Sequence, residues 1–455
     1  MQDVKKGQAL ELSKKLAVYS TALIYDDLPA EVVEFTKLCI LDYFGSAIAG
    51  SGKAPVGMIA ELAEEMGGKD QARLFTGGKS SVLNAAMVNG AASHIVELDD
   101  IHKGSIIHAA TVVIPAALAI AEWKRLSGEE LITAVVAGYE VCFRIGEAVS
   151  PSHYYYWHNT ATCGTFGSAI AAAKLLGLDE EQTIAALGNA GTQAAGLWEF
   201  IEDGAMSKQL HTAKASMNGV LAALLAQKGF TGPRKILEGD RGFFKAMSEE
   251  YDETRITEGL GQQFKIMENS FKIHASCRHT HHAVDMLIDI FKERKPSLEE
   301  IDSVKVESYQ VALNITDDAD PQTEYAAKFS LQFCSALALL KGSASLADFN
   351  EQSLWDEEVR ALMKKVEVIT EPGIDASYPK KWGAAVEVVF KGGDSVKMAT
   401  EYPKGDPENA VTAQELHDKF IGMASDFPAE KRERIAKELL DLEKVQNIEE
   451  LMDNL

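Results

Sequence analysis

Four stretches of the chain gather acids, imidazoles and ammonium groups where the flanking residues are small or apolar. The first, Glu97 to His108, carries Glu97, Asp99, Asp100, His102, Lys103 and His108. Its carboxylates can act as bases, and its imidazoles can give or take a proton near neutral pH. The second, Tyr154 to Thr160, places His158 just ahead of a Gly/Ala-rich helical pattern, where free N–H groups and the helix dipole favour an anion. In the third, Gly204 to His211, Lys208 and His211 stand three apart and therefore share one helical face. The fourth, Phe271 to His282, packs Lys272, His274, Cys277, Arg278, His279, His281 and His282 into twelve residues.

Each stretch also has a plainer reading. The first would serve as a polar loop, the aromatic residues of the second as core or interface, and Lys208 as an ordinary exposed lysine. In the fourth, the density of basic groups points to an anionic ligand, with packing and zinc as the alternatives. Zinc is disfavoured because the other cysteines offer no partner at a usual spacing. His102 and His108 are a weak metal pair without a third nearby ligand.

Stepping along the chain, residues 1 to about 265 read as successive helices, with apolar positions recurring at three and four. Ser127–Glu130 and Asp179–Gln182 are capping boxes, and Thr412–Glu415 is a third. Small residues dominate Ile114–Ala121, Ser168–Ala173 and Gly219–Ala226, which suits close helix packing. From about 270 to 400 the pattern changes. Ile301–Leu313, Lys364–Ile369 and Ala384–Val389 alternate with period two, and Lys391–Asp394 reads as a hairpin turn into Ser395–Thr400. Helical segments lie between, and helix returns after Pro407 to pack back on the first domain. The expected organisation is 1–267 with 403–455 as an all-α domain and 268–402 as α+β.

The net charge of −23 disfavours nucleic acid and anionic membrane as partners. No apolar run reaches the length of a membrane span, and the first residues lack a signal-peptide centre, so a cytoplasmic protein is expected. Five scattered cysteines argue against a disulfide framework and against an iron–sulfur site. The motifs of nicotinamide binding, ATP binding, serine hydrolysis and zinc peptidases are missing. No cofactor or metal is expected.

The motifs taken in order resemble those of the MmgE/PrpD family. They are Asn89–Asp100 with His108 and Val112–Leu118, then His158–Gly167 with Ala172–Leu178. Next come Lys208–His211 leading to Gly229–Pro233 and Glu238, Phe271–His281, Lys328–Ser330 and Lys404–Asn409. The resemblance spans nearly the whole chain. It implies a mainly α protein: a large helical domain built from both chain ends, an inserted α+β lid, a homodimer, and a cleft between domains that binds carboxylates. It implies 2-methylcitrate dehydratase, cis-aconitate decarboxylase or iminodisuccinate epimerase chemistry without an iron–sulfur cluster. By position it assigns Asp100, His108, His158, Lys208 and Lys272 to catalysis. Cys277 stands where the decarboxylases carry His, and Ile101, Lys103 and Ala109 also depart from the family pattern.

The expected function is therefore a cofactor-independent lyase that removes water next to a carboxylate of a small di- or tricarboxylic acid. Decarboxylation and epimerisation are the alternatives through a similar enolate, and a non-catalytic carboxylate-binding protein is the rival from another class. Lys208, Lys272 and Arg278 would clamp carboxylates, with His102, His211, Cys277 and His279 completing the binding set. His108 and His158 would exchange protons, and Asp100 would orient an imidazole.

Overall fold

The computed structural model describes residues 11–455, which divide into two compact units. The first comprises the chain up to Ile95, Asp99–Asn269 and Ala413–Leu455; the second comprises Val96–Leu98 and Ser270–Thr412. Helices dominate, as expected for a mainly α protein.

In the first unit the helices that bear or flank the titratable stretches are Val82–His94, Ala110–Lys124, Gly128–Val149, Asn159–Leu175 and Ser207–Gln227. Their starts follow local rules. Ser127 Oγ accepts from Glu130 N, and Asp179 accepts from Gln182 N, each within a complete capping box. Helices Asn159–Leu175 and Ser207–Gln227 pack closely because small residues meet at their crossing. A Cβ on Gly219 would fall 2.3 Å from Ser168 Cβ and 2.6 Å from Ala169 N, so only glycine permits this approach. Gly138 and Gly167 play the same part where Gly128–Val149 crosses Asn159–Leu175: a Cβ on Gly138 would meet the Gly167 carbonyl at 2.9 Å. Tight packing of this kind fixes side chains to a fraction of an ångström.

The second unit is built on a four-stranded sheet in the order Val366–Thr370, Ile301–Ser308, Ala384–Phe390, Ser395–Thr400. The first pair is parallel and the other two pairs are antiparallel. Alternation buries Val304, Val306, Val386 and Val388 on one face. Helices Arg278–Arg294 and Leu331–Lys341 pack against each other and against strands of this sheet.

Two expectations are corrected. The strand expected over 301–313 ends at Ser308, and Gln310–Thr316 is a helix. Asp375 decides this by accepting a hydrogen bond from Gln310 N at 2.8 Å, which satisfies a helix-start donor. The return to the helical unit comes at Ala413 rather than 403, because the intervening loop is tied into the second unit. Phe271 N donates to Gly405 O at 2.9 Å, and Lys404 N donates to Asp285 at 2.7 Å. Val96–Leu98 joins the second unit in a similar way: Lys272 Nζ donates to Glu97 O at 2.9 Å, and Lys328 Nζ donates to Val96 O at 2.9 Å. No helix among the described residues is long and apolar enough to cross a membrane.

Candidate active site

The centre of the site in the first unit is the carboxylate of Asp99, which is fully buried. One of its oxygens, Oδ2, lies 2.8 Å from Nδ1 of His94 and 2.8 Å from Nδ1 of His108. His94 is the last residue of helix Val82–His94, and His108 lies just before Ala109, the N-cap of helix Ala110–Lys124, so two helix ends aim both rings at the loop between them. Nδ1 of His108 also lies 2.7 Å from the carbonyl oxygen of Asp100. Both neighbours of that nitrogen are acceptors, so it carries the proton and leaves Nε2 as the basic end of the ring.

Burial raises the carboxyl of Asp99, but the two imidazoles that bond to it more than offset this and hold it well below the usual range. Burial lowers His94, with Lys208 and His108 acting in the same direction against Asp99. The arrangement is a carboxylate anion with the Nδ1 atoms of two imidazoles on one of its oxygens.

Three further groups surround these. His158 is the N-cap residue of helix Asn159–Leu175, as the sequence suggests, and its ring stacks 6.0 Å from that of His94. Nδ1 of His158 lies 3.2 Å from Nδ1 of His211, and Trp198 covers the other side with ring centroids 4.8 Å apart. Burial, then the neighbouring His211, His94, Lys208 and His108, hold His158 well below the ordinary imidazole range. Burial followed by Lys214 brings His211 down to about 4. Lys208 lies one turn before His211 on helix Ser207–Gln227, is itself buried, and its charge depresses His94, His158 and His211. His211 also lines a cavity of about 600 Å³ with Trp157, Gly196, Phe200 and Ser207.

In the second unit Lys272 is paired with Glu97 at 3.2 Å, both side chains being nearly inaccessible. Glu97 adopts a φ of 60°, in the left-handed region that non-glycine residues rarely enter. His279 stacks on Trp382 with centroids 4.7 Å apart, and its Nδ1 lies 2.6 Å from the Tyr309 hydroxyl. Burial, with His282, Lys272 and Arg278 adding to it, brings this ring down to about 3. Cys277 caps helix Arg278–Arg294, and its N–H donates to Lys328 O at 2.8 Å.

Three expected roles change. The Asp100 carboxylate orients no imidazole. It accepts from Tyr139 Oη at 2.7 Å, Asn269 Nδ2 at 2.7 Å and Ala110 N at 3.1 Å, and burial raises it to about 7 despite those donors. It anchors the start of helix Ala110–Lys124, and only its backbone oxygen serves His108. Arg278 is no open carboxylate clamp, because its guanidinium is spent on Asp406 at 2.5 Å and on the carbonyls of Phe271 and Lys404. His102 stacks on Phe143 and directs its two nitrogens to Ser105 and Glu268, at 2.9 and 3.4 Å.

His94 is not singled out by the sequence reading, and Glu97 and Asp99 appear there only as acids of the first stretch, without a role of their own. His94 falls within an Ala-rich helix that reads as core, and Asp99 is hidden beside Asp100. The available signal is a histidine closing an otherwise apolar helix, with an acid five residues on.

Two groups of side chains have ligand atoms close enough to hold a metal ion: His94, Asp99 and His108, and His102, Glu147 and Glu268. In the first, both imidazole nitrogens sit at hydrogen-bond distance from one oxygen. A zinc ion bound at about 2.0–2.2 Å to each ligand would require these atoms to separate. In the second, the Lys265 ammonium lies 3.0 Å from both Glu147 and Glu268 and supplies the positive charge.

With this geometry in place, comparison with known proteins identifies the class. Residues 14–255 match the MmgE/PrpD N-terminal domain and residues 274–443 the MmgE/PrpD C-terminal domain. The chain belongs to the MmgE/PrpD family. It is 27% identical to the cis-aconitate decarboxylase-like protein oryM of Aspergillus oryzae, over 97% of this chain and 96% of that protein. It is 28% identical to the cis-aconitate decarboxylase of Aspergillus terreus, over 98% and 96%. The 2-methylcitrate dehydratase of Escherichia coli is 25% identical over 60% of this chain and 59% of its own length.

The buried rings predict acid lability. An unfolded chain binds protons to its histidines below about pH 6.5, whereas His153, His211 and His282 resist until about 4 and His279 until about 3. Their contribution to stability is complete above that pH and is lost as the pH falls. Asp100, raised to about 7 by burial, acts in the opposite sense, as do the raised carboxyls of Glu122 and Glu140, but the lowered rings of His94, His158 and His281 add to the four above and outnumber them. The urea midpoint should therefore be lower at pH 5 than at pH 7.5. An equal or higher midpoint at pH 5 would contradict the assignment of neutral buried rings.

Proposed function

We propose that this enzyme is a cofactor-free lyase acting on a small di- or tricarboxylic acid, eliminating water next to a carboxylate. One observation carries the reading: Asp99 and the Asp100 carbonyl hold the proton of His108 on Nδ1. His108 is also the member of the Asp99 group that keeps some surface, 11% of its side chain, whereas Asp99 and His94 keep none. Its Nε2 can take the proton next to a substrate carboxylate, and the electrons pass into that carboxylate as an enediolate. Lys208 supplies charge that stabilises this anion. Collapse of the enediolate expels hydroxide, which leaves as water on receiving the proton that His108 has taken. Lys272, which the family resemblance assigns to catalysis, holds Glu97 at 3.2 Å and would have to exchange that carboxylate for one of the substrate's.

Decarboxylation is the second reading. Its support is that the decarboxylases align over nearly the whole chain, whereas the dehydratase aligns over 60% of it. Cys277, where the decarboxylases carry His in the resemblance described above, favours dehydration.

The functional test is a screen of chelator-treated enzyme on 2-methylcitrate, citrate, cis-aconitate and iminodisuccinate. Turnover of 2-methylcitrate is expected. Release of CO₂ from cis-aconitate alone would replace dehydration by decarboxylation, and activity that appears only on adding back one metal would end the cofactor-free reading. On the true substrate, Lys208→Ala should lower kcat/KM about ten- to a hundredfold, the equivalent of roughly 1.5–3 kcal/mol for a charge-assisted contact. Lys214→Ala should matter less, since the Lys214 ammonium donates to Ala195 O at 2.8 Å in a structural role. A fully active Lys208→Ala enzyme would show that the substrate anion binds elsewhere.

We also infer a homodimer. The first unit exposes Tyr155, Tyr156, Leu197, Ile201, Met206 and Leu210, all within one stretch of sequence and all more than half exposed. Light scattering at micromolar concentration should give twice the chain mass of 49.4 kDa, and a monomer would count against this surface as an interface.

A further inference from the structure

His94 has no role in the proton transfers above, yet packing does not explain it. The ring is completely buried. Its Nδ1 bonds to Asp99, and its Nε2 has no hydrogen-bond partner among the described residues. Oδ1 of Asp99 is likewise buried without a partner, so both imidazole bonds fall on Oδ2. A histidine present only to fill space would be replaced at lower cost by leucine, which leaves no buried nitrogen unpaired.

We infer that His94 is a positioning residue: through Asp99 it fixes the tautomer and basicity of His108. This rests on the proposed role of His108. The N–H of His94 draws charge from Oδ2, so the carboxylate binds the His108 proton without removing it, and Oδ2 stays directed at that ring. Without His94 the carboxylate turns more freely and is a stronger acceptor. The His108 imidazolium then becomes easier to form, and its ring is held less well. The titratable groups facing His94 are Asp99 and His108 from the loop that follows it, Lys208 from helix Ser207–Gln227, and His158 from the cap of helix Asn159–Leu175.

The test uses His94→Leu, His94→Asn and His94→Gln in the full-length enzyme, with His108→Ala in parallel. His94→Leu should lower kcat about ten- to a hundredfold, less than the loss of the acid–base group itself, while KM moves less than about threefold. The acidic limb of its pH–kcat profile should shift to higher pH. Asn can place an amide N–H where Nδ1 stood and should recover kcat to within about threefold of wild type, whereas Gln, one bond longer, should not. Wild-type kcat and an unmoved limb in His94→Leu would overturn the inference. If that variant does not fold, equal impairment of the Asn and Gln variants would overturn it. Nitrogen-15 spectra of histidine-labelled wild-type enzyme decide without any variant: the His94 proton should reside on Nδ1, and finding it on Nε2 would refute the inference. Full activity in His108→Ala would instead remove the reading of the site on which the inference rests.

Discussion

A carboxylate stripped of water must be given hydrogen bonds or a counter-charge, and Asp99 receives both of its imidazole bonds on one oxygen. This constraint organises the helical unit around it. His94 must close one helix and His108 must precede another, at angles that let both Nδ1 atoms reach Oδ2. Those helix ends are held by neighbours that pack at glycine distance, and Asp100 anchors the second helix through Ala110 N. The adjacent acids therefore divide their labour. Asp99 faces the imidazoles of His94 and His108, while the Asp100 side chain braces the scaffold with Tyr139 and Asn269.

The basic groups sort by the same test of what each side chain already holds. Arg278 is consumed by Asp406, and Lys265 by Glu147 and Glu268, so their charges close internal networks. Lys208 lies among rings that burial keeps neutral and that its charge depresses further. Neutral imidazoles can accept protons, and a chain of net charge −23 needs such local concentrations of positive charge to hold a polycarboxylate.

Much of this was legible in the residues. The capping boxes at Ser127 and Asp179, His158 at a helix start, and the shared helix holding Lys208 and His211 all follow from local rules that the structure obeys. The strands of the second unit were visible as period-two alternation, although the first ended early where Asp375, 65 residues on, caps the following helix. What was not legible depends on distant partners or on a single backbone rotation. Arg278 looked like a ligand for substrate because Asp406 lies 128 residues downstream. Asp99 and Asp100 are equivalent in composition and differ only in the direction each side chain takes from the loop. His94 was masked by the apolar helix that carries it.

The most direct test of this account is the turnover of Asp99→Asn, measured on the true substrate with the fold checked by circular dichroism. An amide at this position can present N–H where the two imidazoles need an acceptor, which would disturb the His108 tautomer. The account predicts a folded protein whose kcat falls on the order of 10²-fold or more, as expected when a carboxylate that sets a catalytic imidazole is lost. A folded Asp99→Asn enzyme with wild-type kcat would contradict it.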